Sequence, residues 1–256
     1  MLAKLQLELK TGNGDVIPYQ KAVILQSILM GRIGGAYANK LHESRLHPYC
    51  QSVIQQNGKN IWEICTTNEE AYQGILLPLQ DAGFRHFFME DDQWEVDVVQ
   101  KQMQQKTKSE FMDQYYFKDA GRYLNIEFRT PAAFKSQGEY VFLPELRLLY
   151  QSLMMKYSAS SDDEAAEDED VLEQLLAYSR VSKYRLRSCT YSLHRVRIPA
   201  FLGQLSIRVS GPQAMVNFLH MLFRFGEYSG IGIKTAMGMG NIKLNRTSDK
   251  SAVSIM

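Results

Sequence analysis

Twice along this chain the hydrophobic pattern runs strand, helix, strand, strand, helix, strand, and that repeated order constrains the fold more than any single motif does. In the first pass Leu5, Leu7 and Leu9 alternate with Gln6, Glu8 and Lys10, the period of a half-buried strand. A helix follows, with Pro18 in its first turn and Val23, Ile24, Ile28, Met30, Ile33 and Tyr37 near helical spacing. Gly34-Gly35 marks a bend or break in it. Segments 50–55 and 61–66 flank Asn57-Gly58, a pair that tolerates the positive φ of a two-residue hairpin turn. Asn68 is placed to cap the next helix, Pro78 limits its unbroken run, and 84–89 and 94–99 read as strands across an acidic turn. The second pass gives a strand at 123–129, a helix at 146–157, strands at 184–198 and 204–210, a helix at 215–225 and a last strand at 241–244. The fold class is therefore α+β, two ferredoxin-like (RRM-like, β-α-β-β-α-β) domains in tandem, 1–120 and 121–256, with a glycine-rich loop near the C-terminus.

Charge divides the chain in the same direction. The net +1 hides 17 Lys+Arg against 26 Asp+Glu in residues 1–173, and 12 against 2 in residues 174–256. Between Gln174 and Gly226 there is no acidic residue but eight basic ones, Arg180, Lys183, Arg185, Arg187, Arg195, Arg197, Arg208 and Arg224, which points to a polyanionic partner. Seven acids crowd residues 162–170 among Ser and Ala, a composition that reads as a solvated loop without the ordered spacing of a metal site. Cys50, Cys65 and Cys189 are odd in number and lack C-x-x-C spacing, so a disulfide framework or zinc knuckle is not expected and a reducing cytoplasm is. No apolar run approaches the roughly 18 residues of a membrane span.

Near the C-terminus stands Gly230-Ile-Gly-Ile-Lys-Thr-Ala-Met-Gly-Met-Gly240. A Walker loop requires glycine before Lys-Ser/Thr and a helix after it; here Ile233 precedes Lys234 and a strand follows. The dinucleotide fingerprint fails because the glycine after Gly232 is Gly238. Two readings stay open: a loop whose amides cradle a phosphate backbone, and a glycine-rich hairpin with a packing role. The segment YANKLHESRLHPYCQS, from Tyr37 to Ser52, brings His42 and His47 together beside Tyr37, Lys40 and Arg45, and imidazole is the side chain that gives or takes a proton near neutrality. His86, His194 and His220 fall in strand or helix patterns and read as structural.

The run Phe225-Gly-Glu-Tyr-Ser-Gly-Ile-Gly-Ile-Lys-Thr-Ala-Met-Gly-Met-Gly240, with Phe201-Leu-Gly-Gln upstream, resembles the glycine-rich signature of the RAMP superfamily, and more narrowly the CRISPR-associated endoribonucleases that process precursor crRNA. Leu124-Asn-Ile-Glu-Phe-Arg-Thr-Pro-Ala-Ala-Phe-Lys135, Leu41-His42 and Pro48-Tyr49-Cys50-Gln51-Ser52 resemble further elements of that family. The resemblance implies metal-independent cleavage of CRISPR repeat RNA by its own 2′-OH, leaving a 2′,3′-cyclic phosphate and a 5′-OH, with no cofactor and no metal. His42 falls on the family's active-site histidine; His47 or Arg45 stands where the family has a basic residue, and Tyr37 is the nearby tyrosine. RNA binding is expected from Lys40, Arg45, Arg185, Arg187, Arg195, Arg197, Gly230, Gly232, Lys234, Thr235, Gly238 and Gly240. The partners implied are CRISPR repeat RNA in precursor crRNA, with a CRISPR effector complex and a second copy of the chain as further candidates. Two rival readings are a non-catalytic RAMP subunit that binds crRNA and a tandem RNA-recognition-motif protein; the absence of an aromatic RNP1 string weighs against the latter.

Overall fold

In the computed structural model, which describes residues 1–44, 46–160, 168–193 and 196–245, each of the two passes closes into its own antiparallel sheet. The alternate leucines of β1 (Leu2–Thr11) are buried, so β1 takes the inner position that its pattern demands. Around it come α1 (Ala22–Arg32), α2 (Gly35–Glu43), β2 (Tyr49–Gln56), β3 (Lys59–Thr66), α3 (Glu69–Ala71), α4 (Leu77–Gln80), β4 (His86–Met89) and β5 (Trp94–Lys106). The sheet order is β2-β3-β1-β5-β4. Asn57 and Gly58 carry the paired positive φ values of 52° and 74° that turn β2 into β3. The Asn68 side chain accepts the Ala71 N–H at 2.8 Å, and a π turn at Tyr72–Leu76 precedes Pro78, which has no N–H to give the helix. The chain breaks at Ile33-Gly34, where both residues are extended, so the first helix is two helices.

The fourth strand of the ferredoxin-like order is β5, and it is longer than the expected 94–99. Gln100, Gln102 and Gln104 carry no hydrophobic signal, and this stretch is held by its ladder with β1. β4 pairs only with β5 and is an edge addition.

The second sheet, β11-β6-β10-β9, repeats the same order. After α5 (Lys108–Tyr115), closed by a Thr107–Glu110 capping box, come β6 (Tyr123–Ala132), the hairpin β7 (Phe134–Ser136) and β8 (Glu139–Val141), α6 (Leu146–Ala159), α7 (Glu169–Tyr178), β9 (Ser179–Leu193), β10 (Val196–Val209), α8 (Gln213–Ser229) and β11 (Ile242–Asn245). Two expectations are corrected. The strand read at 184–198 is the end of β9 and the start of β10, which pair antiparallel as far as Leu193 and Val196; residues 194–195 lie outside the described residues. Part of the acidic loop is helix: Asp168 caps α7 through the Asp170 N–H, and Glu169 and Asp170 in the first turn suit the positive end of the helix dipole. Residues 161–167 lie outside the described residues.

A buried polar network joins the halves. Glu63 on β3 is 1% exposed and receives Arg129 of β6 at 2.6 Å, Asn241 at 2.8 Å and Gln6 at 2.8 Å, with Lys4 at 3.5 Å. Arg129 Nε also donates to Asn241 Oδ1, and Asn241 Nδ2 to Ser52 Oγ, both at 2.7 Å. Nearby the Cys50 thiol donates to the Tyr228 carbonyl at the end of α8.

Candidate active site

The glycine-rich loop leaves α8 and turns back to β11 against the first half of the chain. Three of its glycine amides are spent inside the protein: Gly230 donates to Gly226, Gly232 to Ser152 Oγ at 2.8 Å and Gly240 to Pro131. A Cβ on Gly240 would lie 2.0 Å from the Ile231 carbonyl oxygen, and one on Gly238 would lie 2.3 Å from Ala22 Cβ. The glycines therefore serve close internal approaches, and the expectation that they offer a row of amides to RNA is corrected at Gly230, Gly232 and Gly240, whose amides are engaged, while Gly238 is required by its contact with Ala22. What the loop presents outward is Lys234, exposed and left-handed at φ 56°; Thr235 beside it is buried.

Gln51 on β2 pins the loop. Its amide donates to the Ala22 carbonyl of α1 at 2.7 Å and to Ala236 of the loop at 3.0 Å, while its oxygen accepts the Trp62 indole N–H at 2.9 Å. Tyr191 adds a hydrogen bond to the Met237 carbonyl. Because β2 starts two residues after His47, the same clamp that holds the loop sets the histidine beside it.

The result is a cleft of 370 Å³ whose walls include His47, Lys135 and Tyr140 of the β7–β8 hairpin, Lys156 of α6, and Lys234. Partial burial, and then the positive charges of His42, Lys234 and Lys156, push the His47 imidazole below its ordinary range. His42 is exposed in the last turn of α2 and close enough to contribute to that shift. Lys135 lies over the Tyr140 ring at 6.0 Å. Lys156 donates to the Ser229 and Gly230 carbonyls and to Thr235 Oγ1, at 3.1–3.3 Å, and burial pushes its pKa down to about 8. Its ammonium caps the C-terminus of α8, where cations are favoured.

The other expected residues are dispersed. Tyr37 is not part of the cleft: its ring packs on Gly74, its hydroxyl is buried without a partner, and burial raises its pKa to about 12. This corrects its reading as a catalytic tyrosine, since a buried hydroxyl cannot touch RNA. Lys40 is engaged by Glu70 through two contacts of 2.6 and 2.7 Å, and Arg185, Arg187 and Arg197 are exposed on β9 and β10. Arg45, Arg195 and His194 lie outside the described residues. His86 pairs with Asp97, and His220 donates to the Gly121 carbonyl. Lys135, Tyr140 and Lys156 were missed from sequence; Lys135 ends a quoted motif but carries no local sign of function. Among the described residues no group of three or more His, Cys, Asp or Glu could hold a metal ion, and no helix is long and apolar enough to cross a membrane.

Comparison with known proteins gives a consistent picture. The family model for the CRISPR-associated endoribonuclease Cas6 matches residues 126–242. A relative of that name from Streptococcus thermophilus is 33% identical over 231 residues, 89% of this chain and 93% of the relative. One from Mycobacterium tuberculosis is 34% identical over 221 residues, 86% and 70%. In fold, a Thermus thermophilus Cas6 superposes with a TM-score of 0.73 at 22% identity, covering 96% of this chain and 98% of that one. A Cas6 product complex reaches 0.78 at 21% identity, covering 96% and 100%.

Proposed function

The chain belongs to the Cas6 family of CRISPR-associated endoribonucleases, RNA-cleaving enzymes of CRISPR repeat processing, and from that premise we propose how it cuts. The 2′-OH next to the scissile phosphate attacks phosphorus, the bond to the 5′-oxygen breaks, and the products are a 2′,3′-cyclic phosphate and a 5′-OH, with no metal required. One histidine takes the 2′-OH proton and the other returns a proton to the leaving oxygen. His47, held below its ordinary pKa, suits the base, which leaves the acid to His42. Lys234 and Lys135 stabilise the charge that grows on the non-bridging oxygens. Lys156 has its N–H groups turned to Ser229, Gly230 and Thr235 and acts by holding the loop. As a working division, residues 1–120 supply the histidines and 121–256 the lysines and most of the basic surface.

The observation that carries this reading is the meeting of His47 with Lys156 and Lys234 at one cleft, with His42 near enough to act on the His47 imidazole, although the sequence separates them by up to 192 positions. The test is single-turnover cleavage of labelled repeat RNA in EDTA. His42→Ala and His47→Ala should each slow scission by on the order of 10²-fold with little change in RNA affinity. Full-rate cleavage by either variant removes that histidine from the chemistry, and a strict need for a divalent ion defeats the metal-free mechanism. Tight binding by the wild type without scission would make it a crRNA-binding subunit instead.

A further inference from the structure

Away from the catalytic cleft, an open apolar groove of 470 Å³ lies between β9, β10 and the segment that enters α6. Phe142, Leu143, Tyr184, Leu186 and Phe201 line it, and Leu143 and Tyr184 are 67% and 70% exposed. Such a surface on a soluble fold marks something that binds there. Its only charged lining residue is Arg187. By strand alternation Arg187 points to the opposite face of β9 from Tyr184, and it reaches the groove because β9 is the outer strand of its sheet, with an open edge. Lys183 and Arg185 stand exposed along the same strand, and among the described residues none is ion-paired with Lys183, Arg185 or Arg187.

An apolar slot with an aromatic ring in its wall, one unpaired cation at its rim and further cations along the same strand is complementary to a ligand with flat apolar faces on an anionic backbone. A second copy of the chain fits poorly, since two β9 edges would bring like charges together. We infer that the groove takes one unpaired nucleobase of a bound RNA, stacked on Tyr184, with a flanking phosphate on Arg187. This rests on the RNA-processing reading and adds a subsite to it. Of the lining residues only Arg187, Ser188 and the Tyr184 hydroxyl offer polar side-chain atoms, so the slot reads chiefly the face of a base and is tolerant of sequence.

The test uses the whole protein and a short oligouridylate carrying one central 2-aminopurine, next to the same oligomer abasic at that position. Wild type should bind the base-containing oligomer about tenfold more tightly, the size of one base–aromatic stack, and quench its emission. Tyr184→Ala should abolish the ratio while keeping the abasic affinity, which also shows that the variant is folded; Tyr184→Phe should preserve the ratio. Equal wild-type affinities for the two oligomers, or an undiminished ratio in Tyr184→Ala, overturns the subsite. So does a groove filled by protein, in which case Tyr184→Ala alters sedimentation and leaves RNA affinity unchanged. Repeat-RNA cleavage measured in parallel separates the two proposals: cleavage without the ratio removes the subsite alone, and the ratio without cleavage upholds the subsite and removes the chemistry alone.

Discussion

A side chain at position 238 would have nowhere to go. Gly238 has φ 98°, and its Cβ would sit 2.3 Å from Ala22 Cβ and 2.9 Å from the Tyr191 hydroxyl. Left-handed strain of about 1–2 kcal/mol and overpacking of about 1–3 kcal/mol add, so Gly238→Ala should destabilise the protein by at least about 2 kcal/mol. A urea midpoint equal to that of wild type would show that the loop yields freely and that its glycines are not needed for closure. The same scale explains why one site residue was misread and another missed. Tyr37 lies four residues before the buried Leu41, one turn away on the same helix face, so its burial was written in the helical period once α2 was known to start at Gly35. Lys156 had no such signal: its partners lie 73 to 79 residues downstream, and nothing local announces that an amine will meet the end of α8.

At the level of elements, β1 and α8 were legible because their buried positions recur with the period of the element, and the β2–β3 hairpin because Asn57-Gly58 marks its turn. β5 beyond Val99 and the start of β9 were not, because they are long exposed strands whose ladders, not their burial, keep them extended. The contacts between elements were invisible in the same way. Glu63, Arg129 and Asn241 come from β3, β6 and the approach to β11, and only the folded chain makes them one network. Burial alone would raise the Glu63 pKa, but Lys4 and Arg129, helped by the Asn241 and Gln6 hydrogen bonds, outweigh it and hold the carboxyl at about 2, below its ordinary 4.5. A depressed carboxylate contributes stability that is present above the unfolded value and lost as pH falls through the folded one. Wild type should therefore lose up to about 3 kcal/mol between pH 4.5 and 2 through this group. Glu63→Gln should be less stable at neutral pH and lack that part of the acid loss. Parallel stability curves for the two proteins, from denaturant unfolding across this range, would rule the junction out as the acid-sensitive point.

For the whole molecule, the two sheets bring together what the chain keeps apart. Residues 174–256 carry net +10 and residues 1–173 net −9, yet the cleft at their join draws His47, Lys135 and Lys156 from the acidic stretch and Lys234 from the basic one. Charge summed along the sequence therefore indicated a polyanion but not the cleft proposed to act on it. This separates binding from chemistry in a measurable way. Each lysine or arginine that meets a phosphate releases counterions, so the logarithm of affinity falls linearly with the logarithm of salt, by about 0.7 per contact on a single strand. Arg185→Ala with Arg187→Ala should reduce that slope by about 1.4 and leave the single-turnover rate at saturating RNA unchanged, because neither side chain lines the cleft. Lys234→Ala should reduce the slope by only about 0.7 and slow the saturated rate as well, since its charge acts on the reacting phosphate. If the double variant slows the saturated rate as much as Lys234→Ala does, the division between a binding strand and a reacting cleft is wrong, and the RNA lies across both at once.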